Sequence, residues 1–165
     1  MSIRKIVTEG DPVLNKHCHP VTKFDQKLAD LLDDLKETLA DANGMGLAAS
    51  QIGILRRAVI VVNESGDMIE LVNPEIVEKD GEEEGLEGCL SVPGKWGYVK
   101  RPTHVRVKAQ DREGNQIDIE GDGLTARCLC HELDHLDGHL YVEYVDRLYT
   151  NEELDKILAE REDRK

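Results

Sequence analysis

His131-Glu132-Leu133-Asp134-His135 is the stretch around which the rest of the chain can be read. Residues four apart on an α-helix lie on one face, one turn above the other. Two imidazoles so placed can grip one metal ion at about 2.0–2.1 Å per nitrogen. Glu132 directly follows the first of them, so its carboxylate falls beside the ion rather than on it. A base in that place can take a proton from water held by the metal. A lone His-x-x-x-His also fits a plain solvated helix. The central Glu132 and the apolar Leu129, Leu133 and Leu136 argue against that reading. The pattern therefore predicts a metal-binding helix that begins at Leu124 and runs to about Leu136.

Two histidines do not complete a site, and the third ligand separates enzyme classes. One zinc-protease pattern continues x-x-Gly-x-x-His. Gly138 is in place here, but Tyr141 stands where the third His should fall. A second protease pattern takes a downstream glutamate, and Glu143, Glu152 and Glu153 are compatible with it by spacing. The remaining option is a thiolate from Cys18, Cys89, Cys128 or Cys130. Spacing alone leaves these open.

The 165 residues allow one domain with a real core, and 1–165 reads as a single domain. Four cysteines are too few and too irregular for a secreted disulfide framework. The first residues lack the apolar run of a signal peptide, and no stretch approaches the ~18 apolar residues of a membrane span. The expectation is a reducing, cytoplasmic setting, which suits a thiolate ligand. A formal charge of −13 speaks against general nucleic-acid binding. Docking on an RNA-rich partner would need a local basic patch.

Along the chain, residues 6–14 read as an extended segment with a turn at Gly10-Asp11-Pro12. Leu28, Leu31, Leu32, Leu35 and Leu39 fall at helical spacing and predict a core-facing helix from Phe24. Residues 43–53 hold Gly44, Gly46 and Gly53, which break the helix and permit close backbone approach. No Gly-Lys-Ser/Thr follows, so this is not a phosphate loop. Gln51 offers an amide that can donate to an oxyanion. Residues 58–62 read as a buried strand, and 68–74 with 76–77 continue the strand pattern. Residues 78–84 read as a solvated turn, and 99–109 as one alternating strand. Asp111-Arg112-Glu113-Gly114-Asn115 reads as a hairpin turn into a further strand at 117–120. Thr150 with Glu153 forms a capping box and predicts a C-terminal helix.

Taken together, Gly44-Met45-Gly46-Leu47-Ala48-Ala49-Ser50-Gln51, Glu87-Gly88-Cys89-Leu90-Ser91 and His131-Glu132-Leu133-Asp134-His135 closely resemble, in this order, the three motifs of peptide deformylases. These bacterial and organellar enzymes remove the formyl group from the starting methionine of new proteins. The resemblance spans nearly the whole chain, and the helical C-terminus is similar to the type 1 subclass. It implies an α+β fold of small antiparallel β-sheets packed around the central metal-binding helix. It implies Cys89, His131 and His135 as metal ligands, Glu132 as general acid/base, and Gln51 with the Leu90 N–H as oxyanion donors. The backbone around Gly46 would pair with an extended peptide, and Met45 and Leu124 would wall the methionine pocket. One Fe(2+) per chain is the family's metal, with zinc, nickel or cobalt able to substitute. N-formylmethionyl nascent peptides would be the substrate, and the ribosome near its exit tunnel a candidate partner. Ser50 stands where many members have proline, Cys130 where many have glutamine, and Trp96 where some have arginine. Asp134 has two readings: a carboxylate supporting a ligand, or a salt-bridge partner, for instance of Arg101.

Overall fold

The computed structural model describes residues 2–163. Three helices, α1 (Gln26–Ala42), α2 (Leu124–Leu136) and α3 (Asn151–Asp163), accompany eight strands: β1 (Gly46–Ala48), β2 (Ala58–Val62), β3 (Met68–Asp80), β4 (Glu83–Cys89), β5 (Val92–Arg101), β6 (His104–Gln110), β7 (Gln116–Asp122) and β8 (Tyr149–Thr150). Strands β1-β2-β3-β6-β7 form an antiparallel sheet in that order, and β4-β5-β8 form a second one. The α+β class, the central helix and the C-terminal helix are all as expected. Among the described residues no helix is long and apolar enough to cross a membrane.

The unbroken apolar run of β2 has a physical cause. Its neighbours β1 and β3 cover both edges, and helices cover both faces. Val59 and Val61 join Ala126, Leu129, Leu133 and Leu136 of α2 in one core. Ala58 and Ile60 join Leu28, Leu32, Leu35 and Leu39 of α1 in another. Side chains alternate across a strand, so one five-residue segment serves two cores. Helix α1 starts at Asp25, whose carboxylate accepts from the Leu28 N–H at 3.1 Å. It stops at Asn43, which adopts the left-handed conformation at φ 53°. The chain then turns directly into β1, one residue beyond Gly44 and Met45.

Two strand boundaries differ from the sequence reading. Residues 78–84 are not one turn: β3 continues to Asp80 and β4 starts at Glu83. The charged side chains lie on exposed strand positions, so polarity there reported solvent rather than a loop. Residues 99–109 are not one strand either. Pro102 has no N–H to give to a ladder, and the chain changes sheets there, from β5 to β6. Strand β3 also absorbs Asn73-Pro74 as a bulge, with Asn73 at φ 51°. The Asn73 side chain accepts from Val21 N at 2.8 Å and donates to the Gln110 side chain at 2.9 Å.

The 111–115 turn closes the β6–β7 hairpin, with Asp111 N donating to Asn115 O at 2.9 Å. The capping box is formed: Thr150 Oγ accepts from Glu153 N at 3.2 Å, and Glu153 returns an acceptor to Thr150 N at 3.3 Å.

Candidate metal centre

Helix α2 lies against the five-stranded sheet through its leucines, which turns His131 and His135 toward the β4–β5 turn. Cys89 is the last residue of β4, at that turn. Its Sγ stands 3.4 Å from His135 Nε2, and one donor atom from each of Cys89, His131 and His135 lies within 4.8 Å of the others. An ion bonded at about 2.3 Å to sulfur and about 2.0–2.1 Å to nitrogen would set tetrahedral S···N edges near 3.6 Å. The donor set and its spacing thus fit a metal, and thiolate with imidazole is a set that zinc, iron, nickel and cobalt accept. The glutamate alternative is not met: Glu143 turns back to accept from Leu140 N at 2.8 Å, and Glu152 and Glu153 belong to α3.

Of the two candidate imidazole ligands, His131 has a partner for its second ring nitrogen, and His135 Nδ1 has none among the described residues. His131 Nδ1 hydrogen-bonds Glu87 Oε1 at 2.8 Å, which leaves Nε2 for the metal side. The ring of Tyr141 stacks on His131 with centroids 5.9 Å apart, and its hydroxyl donates to Lys95 O at 3.0 Å. Glu87 is buried and held by two arginines. Arg101 gives it Nε at 2.9 Å and Nη2 at 3.0 Å, and Arg127 gives Nη1 at 2.7 Å. Burial works against the Glu87 charge, but the hydrogen bonds from His131 and Arg101 and the Arg101 charge outweigh it and hold the carboxyl at about 2. Arg101 also pairs with Asp134 at 2.6 Å. Of the two readings of Asp134, the salt bridge is the one formed, and Glu87 is the carboxylate that touches the His131 ring.

Glu132 is buried beside the trio. Its Oε1 has no hydrogen-bond partner among the described residues, as expected of a group that faces a metal and its water. Burial pushes its carboxyl up to about 7; the His131 charge opposes the shift and the Glu87 charge adds to it. A cation on the three donors would pull it down again. Gln51 is fixed at both ends of its amide. Its Oε1 accepts from Ala48 N at 3.0 Å, and its Nε2 donates to Ser91 Oγ at 3.1 Å and reaches Cys89 Sγ at 3.6 Å.

A cavity of about 480 Å³ opens onto this centre, and Met45, Gly46, Gln51, Cys89, Leu90, Leu124, His131 and Glu132 all line it. His135 lies behind, buried at 1 % exposure. The expected site residues are therefore assembled in one place. Met45 and Leu124, at 53 % and 72 % exposure, are apolar side chains at the cavity that the fold leaves uncovered. Leu90 packs its side chain toward α1: a Cβ at Gly44 would meet Leu90 Cδ1 at 2.9 Å and Leu39 Cδ1 at 3.0 Å.

Sequence reasoning missed Arg127 and gave Glu87 no role. Their signal was faint, an arginine on the apolar face of a helix and an acid on a strand. Cys128 also lines the cavity, with its thiol donating to Met45 O at 3.3 Å. It stands beside the metal centre and outside the ligand trio.

A family model described as polypeptide deformylase matches residues 3–151. The peptide deformylase of Agathobacter rectalis is 54% identical over 146 residues, 88% of this chain and 92% of the relative. Peptide deformylase 1 of Bacillus subtilis is 46% identical over 155 residues, 93% of this chain and 97% of the relative. Among solved structures, a peptide deformylase from Legionella pneumophila superposes with a TM-score of 0.85 at 44% identity, covering 97% of this chain and 92% of that one. The Ehrlichia chaffeensis enzyme in complex with actinonin gives a TM-score of 0.86 at 38% identity, over 89% of this chain and 91% of that one. Fold and site together are those of a metal-dependent amide hydrolase. The chain belongs to the polypeptide deformylase family. Its reaction is the hydrolytic removal of the N-formyl group from the N-terminal formylmethionine of newly synthesised polypeptides, with release of formate.

Proposed function

We propose that Cys89, His131 and His135 hold the catalytic metal, one ion per chain, and that Glu132, Gln51 and the Leu90 N–H carry out the deformylation. The supporting observation is the convergence of three donor atoms within 4.8 Å, from two separate elements, beside a buried carboxylate and a fixed amide. When bound, the metal supplies an acidified water and a Lewis acid for the formyl oxygen. Glu132 accepts the proton of that water and returns it to the leaving amine. Gln51 Nε2 and the Leu90 N–H donate to the oxygen that gains charge. Because the Gln51 amide is already held at both ends, little reorganisation is needed there.

The substrate lies along the free edge of β1. Val62 N donates to Met45 O at 2.8 Å and Ala48 N turns to Gln51. In an antiparallel pair successive residues alternate in direction, so Gly46 shares the orientation of Ala48 and offers its backbone away from β2. An extended peptide pairs there, with its methionine side chain against Met45 and Leu124. The formyl carbon carries only hydrogen as its second substituent, so it alone fits the narrow end between β1 and Cys89-Leu90. We assign iron(II) as the resident metal, with zinc, nickel or cobalt able to replace it, and residues 1–165 as one catalytic domain acting in the cytoplasm. The ribosome near its exit tunnel is the proposed place of action. Helix α3 carries Glu152, Glu153, Asp155, Glu160 and Glu162 against Lys156 and Arg161, so docking there would use a protein surface and no direct nucleic-acid specificity.

The test is metal analysis of anaerobically purified protein, paired with formate release. Formyl-Met-Ala-Ser should be cleaved, with acetyl-Met-Ala-Ser and internal peptide bonds untouched. Iron-loaded protein should lose activity in air and keep it under reductant, while zinc-loaded protein should be stable and slower. Equal rates with both metals and no loss in air would contradict iron. Cleavage of internal bonds without preference for the formyl group would overturn the substrate reading.

A further inference from the structure

Trp96, the single tryptophan of the chain, lines the cavity and presses on Gly88, the residue before Cys89. A Cβ at Gly88 would stand 2.4 Å from the indole. The indole Nε1–H donates to Asn151 Oδ1 at 2.6 Å. Asn151 opens α3, yet its side chain is not spent on capping, because Thr150 caps the helix. Strand β8 brings it into place by pairing Lys95 with Thr150 and Trp96 with Tyr149. Further along α3, the Arg161 guanidinium lies over the Tyr98 ring at 5.3 Å. The C-terminal helix is thus tied to the strand that supplies one wall of the cavity.

We propose that Asn151 is a positioning residue for substrate recognition: by holding the Trp96 indole, it sets the wall against which the residues after formylmethionine lie. The inference rests on the deformylase reading of the same site. The metal ligands and Gln51 occupy the formyl end, and Met45 and Leu124 take the methionine side chain. Gly46, Gly88 and Trp96 line one cavity, so a peptide paired to the Gly46 edge and extended beyond methionine would have the indole as a wall. Trp96 is uncharged and broad, so it contributes packing area without a sequence code. A mere tether for α3 would instead change stability alone.

Two substrates separate these cases. Formyl-Met amide has nothing beyond methionine, whereas formyl-Met-Ala-Ser extends along the groove. Asn151→Ala removes one hydrogen bond, and the KM for formyl-Met-Ala-Ser should rise roughly 3–10-fold, with kcat held and the kinetics of formyl-Met amide unchanged. Asn151→Asp keeps an acceptor and should restore the KM. Trp96→Phe keeps a ring but drops the N–H, and should likewise raise the KM for formyl-Met-Ala-Ser. Because the chain has one tryptophan, its emission reports the wall directly. Met-Ala-Ser should shift the emission of the wild type and shift that of Asn151→Ala less. A lowered melting temperature with no difference between the two substrates would overturn the proposal, as would an Asn151→Asp variant that behaves like Ala. Failure of the wild type to release formate from either substrate would reject the deformylase reading instead. The emission titration with Met-Ala-Ser would still decide whether Trp96 meets the peptide.

Discussion

Gly46→Ala puts the packing of Glu132 against β1 to the test. A Cβ at Gly46 would stand 2.6 Å from Glu132 Oε2 and 2.9 Å from Cys128 Sγ. Ordinary contact begins near 3.4 Å, so the carboxylate oxygen would have to retreat by about 0.8 Å and the sulfur by about 0.5 Å. Both line the cavity but are buried, Glu132 at 4 % and Cys128 at 9 % exposure, so each would move by leaving its packed position. Overpacking of this kind costs about 1–3 kcal/mol, and each kcal/mol lowers the melting temperature of a chain this size by about 2–4 °C. Activity should fall along with stability. Displacing a reacting group by about 1 Å can cost ~10²-fold, and here the displaced group is the proposed base. The expected result is formate release down ~10²-fold, a melting point lower by several degrees, and full metal content. Gly66→Ala is the control: its φ of +82° brings strain, but nothing lies within 4 Å of a Cβ there. It should cost about 1 kcal/mol and leave turnover alone. Normal turnover in folded, metal-loaded Gly46→Ala would refute the placement of Glu132 at the reacting centre.

Three further outcomes follow from the same geometry. Cys89→Ala should lose metal and activity while Cys128→Ala keeps its metal, because only Cys89 stands with the two imidazoles; stoichiometric metal in Cys89→Ala would reverse that choice. Glu132→Gln should bind metal normally and turn over ~10²–10⁴-fold more slowly, and near-normal turnover would assign the proton to another group. For Glu70, burial disfavours the charge, yet hydrogen bonds from Arg112 at 2.9 Å and Lys36 at 2.7 Å outweigh it and lower the pKa from 4.5. The folded value is the lower one, so this stabilisation is full above the ordinary carboxylate range and is lost as pH falls through the folded value. Glu70→Gln should flatten the acid limb of the melting temperature against pH, and an unchanged limb would contradict the assignment.

Features that depend on local geometry were legible along the chain. The turn-to-turn spacing of a helix is fixed, so His131 and His135 had to share a face and Glu132 had to stand beside them. The leucine stripe of α1, the 111–115 turn and the Thr150–Glu153 cap are short-range patterns of the same sort. The three motifs, taken in order, also carried the family. Tertiary structure decided the rest. No periodicity around Cys89 says that it, and not Cys128, meets the two imidazoles; the motif resemblance implied it, and the packing that brings the end of β4 to His135 places it there. Glu87 reaches His131 across 44 positions, and Arg101 and Arg127 reach Glu87 across 14 and 40. The division of 99–109 at Pro102 and the bulge at Asn73 reflect which sheet each segment joins. Such contacts arise only when strands and helices pack, because no local periodicity encodes the distance between residues so far apart in the chain.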